Sequence, residues 1–308
     1  MPKLGRLKVI RVSAEAAETK GLAVPGTTEM LVYDPTINPE DNMIQREPAI
    51  GFGGPYKAER GPSVGTVTFR VELRSNGTST LDVGLLICLQ GCGMKLTSGT
   101  LAPVTLVSDQ KTITLDVWSD GLHERLYGAA GTFEMAGEWG KQVFLEFTFT
   151  GIYTKLADAV VPTTSHTAFA PMLAKAATMT LPAAKTPQIS RFSINPNNPV
   201  EPVEDITAAE GVAYYMIGAG RRYVIGMDPL VEATATLDFR GLWIAKTESA
   251  FGLLLSDGLV DVTIAAPKVQ FMPPQQADRD SKASYDLSGQ CNIGAAGDDE
   301  LTIAAAAH

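Results

Sequence analysis

Apolar and polar residues alternate one for one over long stretches of this chain, and a period of two is the side-chain period of a half-buried β-strand. Val64, Val67, Phe69, Val71 and Leu73 mark one run, and Ile113, Leu115 and Val117 mark another. A third covers 143–153, with Val143, Leu145, Phe147 and Phe149 on one face. The second half carries the same pattern at Val231, Ala233, Ala235, Leu237 and Phe239, at Val260, Val262 and Ile264, and at Tyr285 and Leu287. Only two segments show helical spacing. One helix is predicted over 80–91, with Leu81, Leu85, Leu86 and Leu89 on one face and Gly91 and Gly93 as a stop. The other is predicted over 246–255, with Phe251, Leu254 and Leu255 inward. Each follows a strand, so the chain reads as mainly β: two β-rich units, each with one helix packed on its sheet.

A length of 308 residues leaves room for two domains of about 150 residues. With 45% hydrophobic and 19% charged residues, each half can bury a core. The longest apolar runs, such as 83–88, are too short for a membrane-spanning helix, and residues 1–11 lack the apolar core of a signal peptide. The expectation is folding in a cytoplasm. An odd set of three cysteines, Cys88, Cys92 and Cys291, reads as buried reduced thiols rather than a disulfide framework. The net charge of −9, without clustered Lys and Arg, argues against tight binding of DNA.

Two segments interrupt the strand pattern. Residues 34–62 carry Pro35, Pro39, Pro48, Pro55 and Pro62 with Gly51, Gly53 and Gly54. Loops this long are usually functional or disordered, and Met43, Ile44, Ile50, Phe52 and Tyr56 make it too apolar for a disordered tail. These five residues read as contacts for a partner surface. Residues 153–187, rich in Ala, Thr and Pro, read as a connector leading into a strand near 176–181. The expected domains are 1–160 and 161–308.

The two halves also resemble one another. Thr36-Ile37-Asn38-Pro39 matches Ser193-Ile194-Asn195-Pro196, and Glu72-Leu73-Arg74 matches Asp238-Phe239-Arg240. Gly84-Leu85-Leu86 matches Gly252-Leu253-Leu254, and Phe147 to Gly151 matches Tyr285 to Gly289. The matches keep their order, which points to duplication. The second copy is shorter between its helix and closing strand, and lacks most of a hairpin over 100–126.

No residue pattern supports catalysis, a cofactor or a metal. His123, His166 and His308 have no cysteine or second histidine at ligand spacing, and read as surface histidines, His308 as a frayed end or tag remnant. Gly218-Ala219-Gly220-Arg221-Arg222 lacks the Lys and hydroxyl of a phosphate loop; it reads as a hairpin turn joining 214–217 to 223–225, with Arg221 and Arg222 exposed at its tip. Asp298-Asp299-Glu300 lacks the spaced oxygens of a calcium loop and reads as a solvated turn before a last short strand. Asn76-Gly77-Thr78 reads as an Asn-Gly turn rather than a glycosylation site.

The order of motifs carries a family resemblance. A first strand and a long Pro/Gly loop lead to Val67-Thr68-Phe69, Val71 and Leu73. Leu85-Leu86-Ile87-Cys88-Leu89-Gln90-Gly91-Cys92-Gly93 follows, then Asp120-Gly121, Tyr127-Gly128-Ala129-Ala130-Gly131-Thr132 and Phe147-Thr148-Phe149-Thr150-Gly151. Gly297-Asp298-Asp299-Glu300-Leu301 closes the chain. Over nearly its whole length the chain resembles the tail tube, or major tail, proteins of long-tailed bacteriophages.

That resemblance implies a small β-sandwich or barrel flanked by a helix, rings of six such domains, and stacking of rings into a hollow tube. Two tandem domains per chain imply a homotrimeric, pseudo-sixfold ring, closed so that no sheet edge stays open. It implies that loop 34–62 reaches the adjacent ring. The implied partners are the chain itself, a tape-measure protein, and terminator and baseplate proteins, in a virion tail assembled in the host cytoplasm. DNA is expected to pass through without specific binding, and no membrane is an expected partner. The acidic residues expected to face the lumen are Asp116, Asp120, Glu134 and Glu138. Two other readings stay open: a different tail part of the same fold, such as a terminator or baseplate hub component, and a binding module or hydrolase unrelated to viruses.

Overall fold

The computed structural model describes residues 8–16, 18–40, 42–49, 51, 53–164, 170–181, 185–295 and 297–308. Ile50, Phe52 and His166 lie outside them. The first unit comprises β1 (Lys8–Ala14), β2 (Thr28–Met30), β3 (Tyr33–Pro39), β4 (Met43–Ile44), β5 (Glu59–Arg60), β6 (Val64–Glu72), α1 (Val83–Gly91), β7 (Met94–Thr97), β8 (Thr100–Pro103), β9 (Ile113–Ser119), β10 (Leu122–Glu138) and β11 (Phe144–Asp158). The second comprises β12 (Thr178–Thr180), β13 (Arg191–Asn195), β14 (Val200–Glu204), β15 (Val212–Ile217), β16 (Val224–Met227), α2 (Phe239–Ile244), β17 (Glu248–Ser256), β18 (Val260–Phe271), β19 (Gln275–Arg279), β20 (Lys282–Cys291) and β21 (Thr302–Ala307). The protein is mainly β, as the alternation predicts.

In the first unit the antiparallel pairings run β3-β6-β11-β10-β9-β1. In the second they run β13-β16-β20, then β18 and β19 together, then β17 and β12. Each strand of the first order has its counterpart at the same place in the second, and in the same chain sequence. The helix falls between β6 and β9 in one unit and between β16 and β17 in the other. Both helices begin on an aspartate cap: Asp82 accepts from the Gly84 N–H and Asp238 from the Gly241 N–H. The short β4–β5 ribbon and the β14–β15 hairpin are likewise each inserted between the corresponding strands. What the second unit lacks is the β7–β8 hairpin at 94–103, not most of 100–126.

One of the sequence matches survives this comparison residue for residue: Thr36–Asn38 and Ser193–Asn195 lie in the corresponding strands β3 and β13. Phe147–Gly151 and Tyr285–Gly289 lie in the corresponding strands β11 and β20 but two residues out of register, because the pairings set Leu287 in the place of Phe147. Gly252-Leu253-Leu254 is in β17, however, while Gly84-Leu85-Leu86 is helical, and Asp238-Phe239-Arg240 starts α2 rather than ending a strand. The helix predicted over 246–255 is strand β17, which buries Ser249, Phe251, Leu253 and Leu255 at period two. The apolar set fits either period, and full-length pairing with β18 decides it. The strand predicted over 231–239 does not form, because Val231, Ala233 and Ala235 have no sheet to cover them and stay exposed.

One apolar cluster runs through both units, from Ile10, Phe69 and Phe147 to Phe271, Val262 and Ile303. Residue 160 does fall between the strands of the two units, but not between two separate cores. The sheets are continuous: Met135–Glu138 of β10 pair with Arg191–Ile194 of β13, and β21 pairs with both β18 and β8. Phe69, Phe133, Phe147 and Phe149 pack with ring centroids 5.6–6.2 Å apart at the centre of the first unit. Each contributes about 1.5–3 kcal/mol by leaving water. Cys88, Cys92 and Cys291 are buried and free, and burial pushes the Cys291 thiol up to about 12.

Candidate functional site

The feature that positions every candidate residue is the sheet running through β3-β6-β11-β10-β13-β16-β20. Its inner face carries Val67, Phe69, Phe147, Phe133, Ile194, Ile225 and Leu287, all buried. Its outer face is mostly polar, the other side of the strand alternation. One row across it reads Thr36, Thr68, Thr148 and Thr132, and another reads Phe144, Ala136, Ser193, Gly226 and Ser288, passing from one unit to the other. Glu134 and Glu138 are exposed on this face, and Glu146 stands opposite Glu134 in the register. Arg70 stands opposite Glu146 and pairs with Asp34.

Asp116 does not belong to this face and cannot line a channel. It is fully buried, accepting from Arg125 Nε at 2.6 Å, His123 Nε2 at 2.7 Å and the Gly26 N–H at 2.6 Å. Burial raises its pKa, but the bonds from Arg125, Gly26 and His123 outweigh that and hold it below the ordinary range. His123 is therefore a structural partner, stacked on Trp118 at 4.7 Å, and not an idle surface residue. Asp120 sits half-buried in the β9–β10 turn with φ 46°, away from Glu134 and Glu138 in the pairing order.

The long loop forms an arm. Met43 and Ile44 pair with Arg60 and Glu59 in the β4–β5 ribbon, closed by the Gly61 N–H on Asn42 O at 2.7 Å. Beyond it, Arg46 meets Glu59 at 3.3 Å and lies over the Tyr56 ring. Met43, Ile44 and Tyr56 are 48%, 58% and 47% exposed, so three of the five apolar residues chosen from sequence lie uncovered on one arm. The second unit's equivalent, the β14–β15 hairpin, is folded back: Val212, Tyr215 and Ile217 bury against Val64, Ala130 and Ile152. Its tip residue Ile206 is fully exposed.

No known protein family matches this chain, and no curated protein matches it. The site therefore rests on its own geometry. Among the described residues no group of three or more His, Cys, Asp or Glu is arranged to hold a metal ion. No helix is long and apolar enough to cross a membrane.

Several residues that sequence reading set apart meet in the fold. Arg221 is not exposed at a hairpin tip, because β15 pairs with β14 and β16 with β13. Instead it donates to Asp298 at 2.5 Å, Glu300 at 3.0 Å and the Val104 carbonyl at 2.6 Å. Nor is the acidic cluster a solvated turn: Glu300 is buried, and Asp298 also accepts from the Thr105 N–H at 3.2 Å. His308 is not frayed; its N–H donates to Leu259 O at 2.9 Å and its ring pairs with Asp261 at 2.8 Å. Asn76 does cap a turn, accepting from the N–H groups of Thr78, Ser79 and Thr80. Sequence reading missed Trp139, 79% exposed in the β10–β11 turn, although an indole between Glu138 and Gly140 was a signal that it faces out.

Proposed function

We propose that this chain is a structural virion protein, the subunit of a phage tail tube, which assembles as homotrimeric, pseudo-sixfold rings stacked into a hollow tube. The observation that carries this reading is the repeated strand order of the two units, joined into one sheet in which, among the described residues, β3 and β19 each pair on one side only. A closed single-chain fold has no use for such edges, and an open one invites pairing with another chain. Head-to-tail pairing of identical chains yields a ring if the rotation closes.

In this reading the polar outer face of the sheet lines the lumen. Glu134, Glu138 and Glu146 set its charge, and their repulsion of phosphates keeps DNA off the wall during ejection. The chain has no catalytic role, and its partners are further copies, the tape-measure protein, and the terminator and baseplate proteins of a tail assembled in the host cytoplasm. One arm per chain is already folded back within the molecule; the other, over 34–62, presents Met43, Ile44 and Tyr56 to the adjacent ring.

Negative-stain microscopy of the purified protein tests the reading. Tubes or stacked rings are expected. Single closed rings would indicate a terminator or hub component, and a persistent monomer at high concentration would end the tube reading.

A further inference from the structure

The joint between the two units contains the template for a joint between chains. Within the chain, the free side of β10 receives β13 in the register Met135↔Ile194, Ala136↔Ser193, Gly137↔Phe192 and Glu138↔Arg191. The repeat assigns each strand of that joint a counterpart. β13 corresponds to β3, because Ser193-Ile194 pairs with Ile225-Gly226 of β16 as Thr36-Ile37 pairs with Val67-Thr68 of β6. The end of β10 corresponds to β19. Leu145 and Phe144 of β11 oppose Met135 and Ala136, and their counterparts Tyr285 and Ser284 of β20 oppose Gln276 and Ala277.

β3 and β19 are also the strands left over. Among the described residues, β3 pairs only with β6 and β19 only with β20. β19 is exposed along nearly its whole length, which an isolated two-stranded extension does not readily sustain in water. We infer that β3 of one chain adds to β19 of a second copy in the register Ile37↔Gln276 and Thr36↔Ala277, repeating between chains the joint that β13 makes with β10 inside one; before Thr36 a bulge in β3 interrupts the register.

Side-chain size supports that register: small residues meet small ones, Ala136 facing Ser193 inside the chain and Ala277 facing Thr36 across the contact. Pro35 and Pro39 remove two donors from the β3 edge, which limits promiscuous strand addition and leaves Ile37 as the donor between them. The contact is heterologous, so it propagates head to tail, and closure depends on the curvature of the sheet.

The inference rests on the tube reading for its partner, a second copy of this chain, and cross-linking separates the two. Thr36→Cys and Ala277→Cys are introduced together. Both positions are exposed, and the native thiols are buried and do not compete. On mild oxidation, covalent oligomers up to a closed trimer are expected on a non-reducing gel. The off-register control, Asn38→Cys with Ala277→Cys, is expected to yield several-fold less, because a disulfide needs Cα atoms within about 7 Å. Micrographs are taken of the same samples. Tubes without cross-links, or equal yield from the control, overturn the pairing and leave the tube reading standing. Cross-links without tubes support the pairing and overturn the tube. Monomers by both measures overturn both.

Discussion

Arg221 Nη2 lies 3.0 Å from Glu300 Oε1 inside the protein, joining the loop before β16 to the turn that leads into β21. The same guanidinium reaches the Val104 carbonyl of the first unit at 2.6 Å. One side chain thus ties both units to the C-terminal strand. Burial lowers the affinity of Arg221 for its proton, but Asp298 and Glu300 more than compensate and raise its pKa above the ordinary value. An arginine serves here because its planar fork supplies several donors at fixed geometry, which an ammonium does not.

Arg221→Ala would strand Glu300 as a buried, unpaired carboxylate. A loss of about 3–5 kcal/mol is expected, read as a lower urea midpoint with an unchanged slope. Arg221→Lys should recover only part of it. A variant as stable as the parent would show that the cluster is hydrated rather than paired.

Gln110 replaces a strand at the edge of β15. Its Oε1 accepts from the Ile217 N–H and its Nε2 donates to the Ile217 carbonyl, both at 3.0 Å and both buried. Gln110→Ala leaves those two backbone groups without partners, and about 2–6 kcal/mol of stability should go, at about 1–3 kcal/mol for each group. Hydrogen exchange should show the Ile217 amide losing protection first.

Acid should unfold the protein through a small set of aspartates. Asp116 is held below the ordinary range, as described above. Burial raises Asp228, but bonds from Ser190, the Arg191 N–H and Arg279 more than reverse it; Asp298 follows the same pattern through Thr105 and Arg221. Each folded pKa lies below the unfolded value of about 3.9, so the unfolded chain binds more protons in acid. The stability they contribute is fully present above about pH 4 and is lost as pH falls through their folded values. Urea midpoints measured from pH 6 downward should stay level to about pH 4 and then drop. Asp116→Asn should blunt that drop while lowering stability at pH 6.

Removing residues 41–54 should leave a folded subunit that does not form long tubes. Among the described residues the β4–β5 ribbon pairs only with itself, and Met43 and Ile44 are not part of either apolar cluster, so the far-ultraviolet spectrum and melting temperature should barely change. Long tubes from the shortened chain would show that another surface makes the stacking contact.

Much of this fold is legible in the sequence because strand alternation and helix capping are local. Val67 to Leu73 and Val143 to Phe149 alternate and form β6 and β11, and the helix at Val83–Gly91 starts on Asp82 and ends before Gly93. Tertiary structure decided the rest. Phe251, Leu254 and Leu255 fit a helix or a strand equally well, and only the partner strand β18 selects between them. Asp116 looked like an exposed acid until Arg125 and His123 closed over it. No local rule brings Arg221 to Glu300, since the energy that pairs them depends on burial by two units folded together.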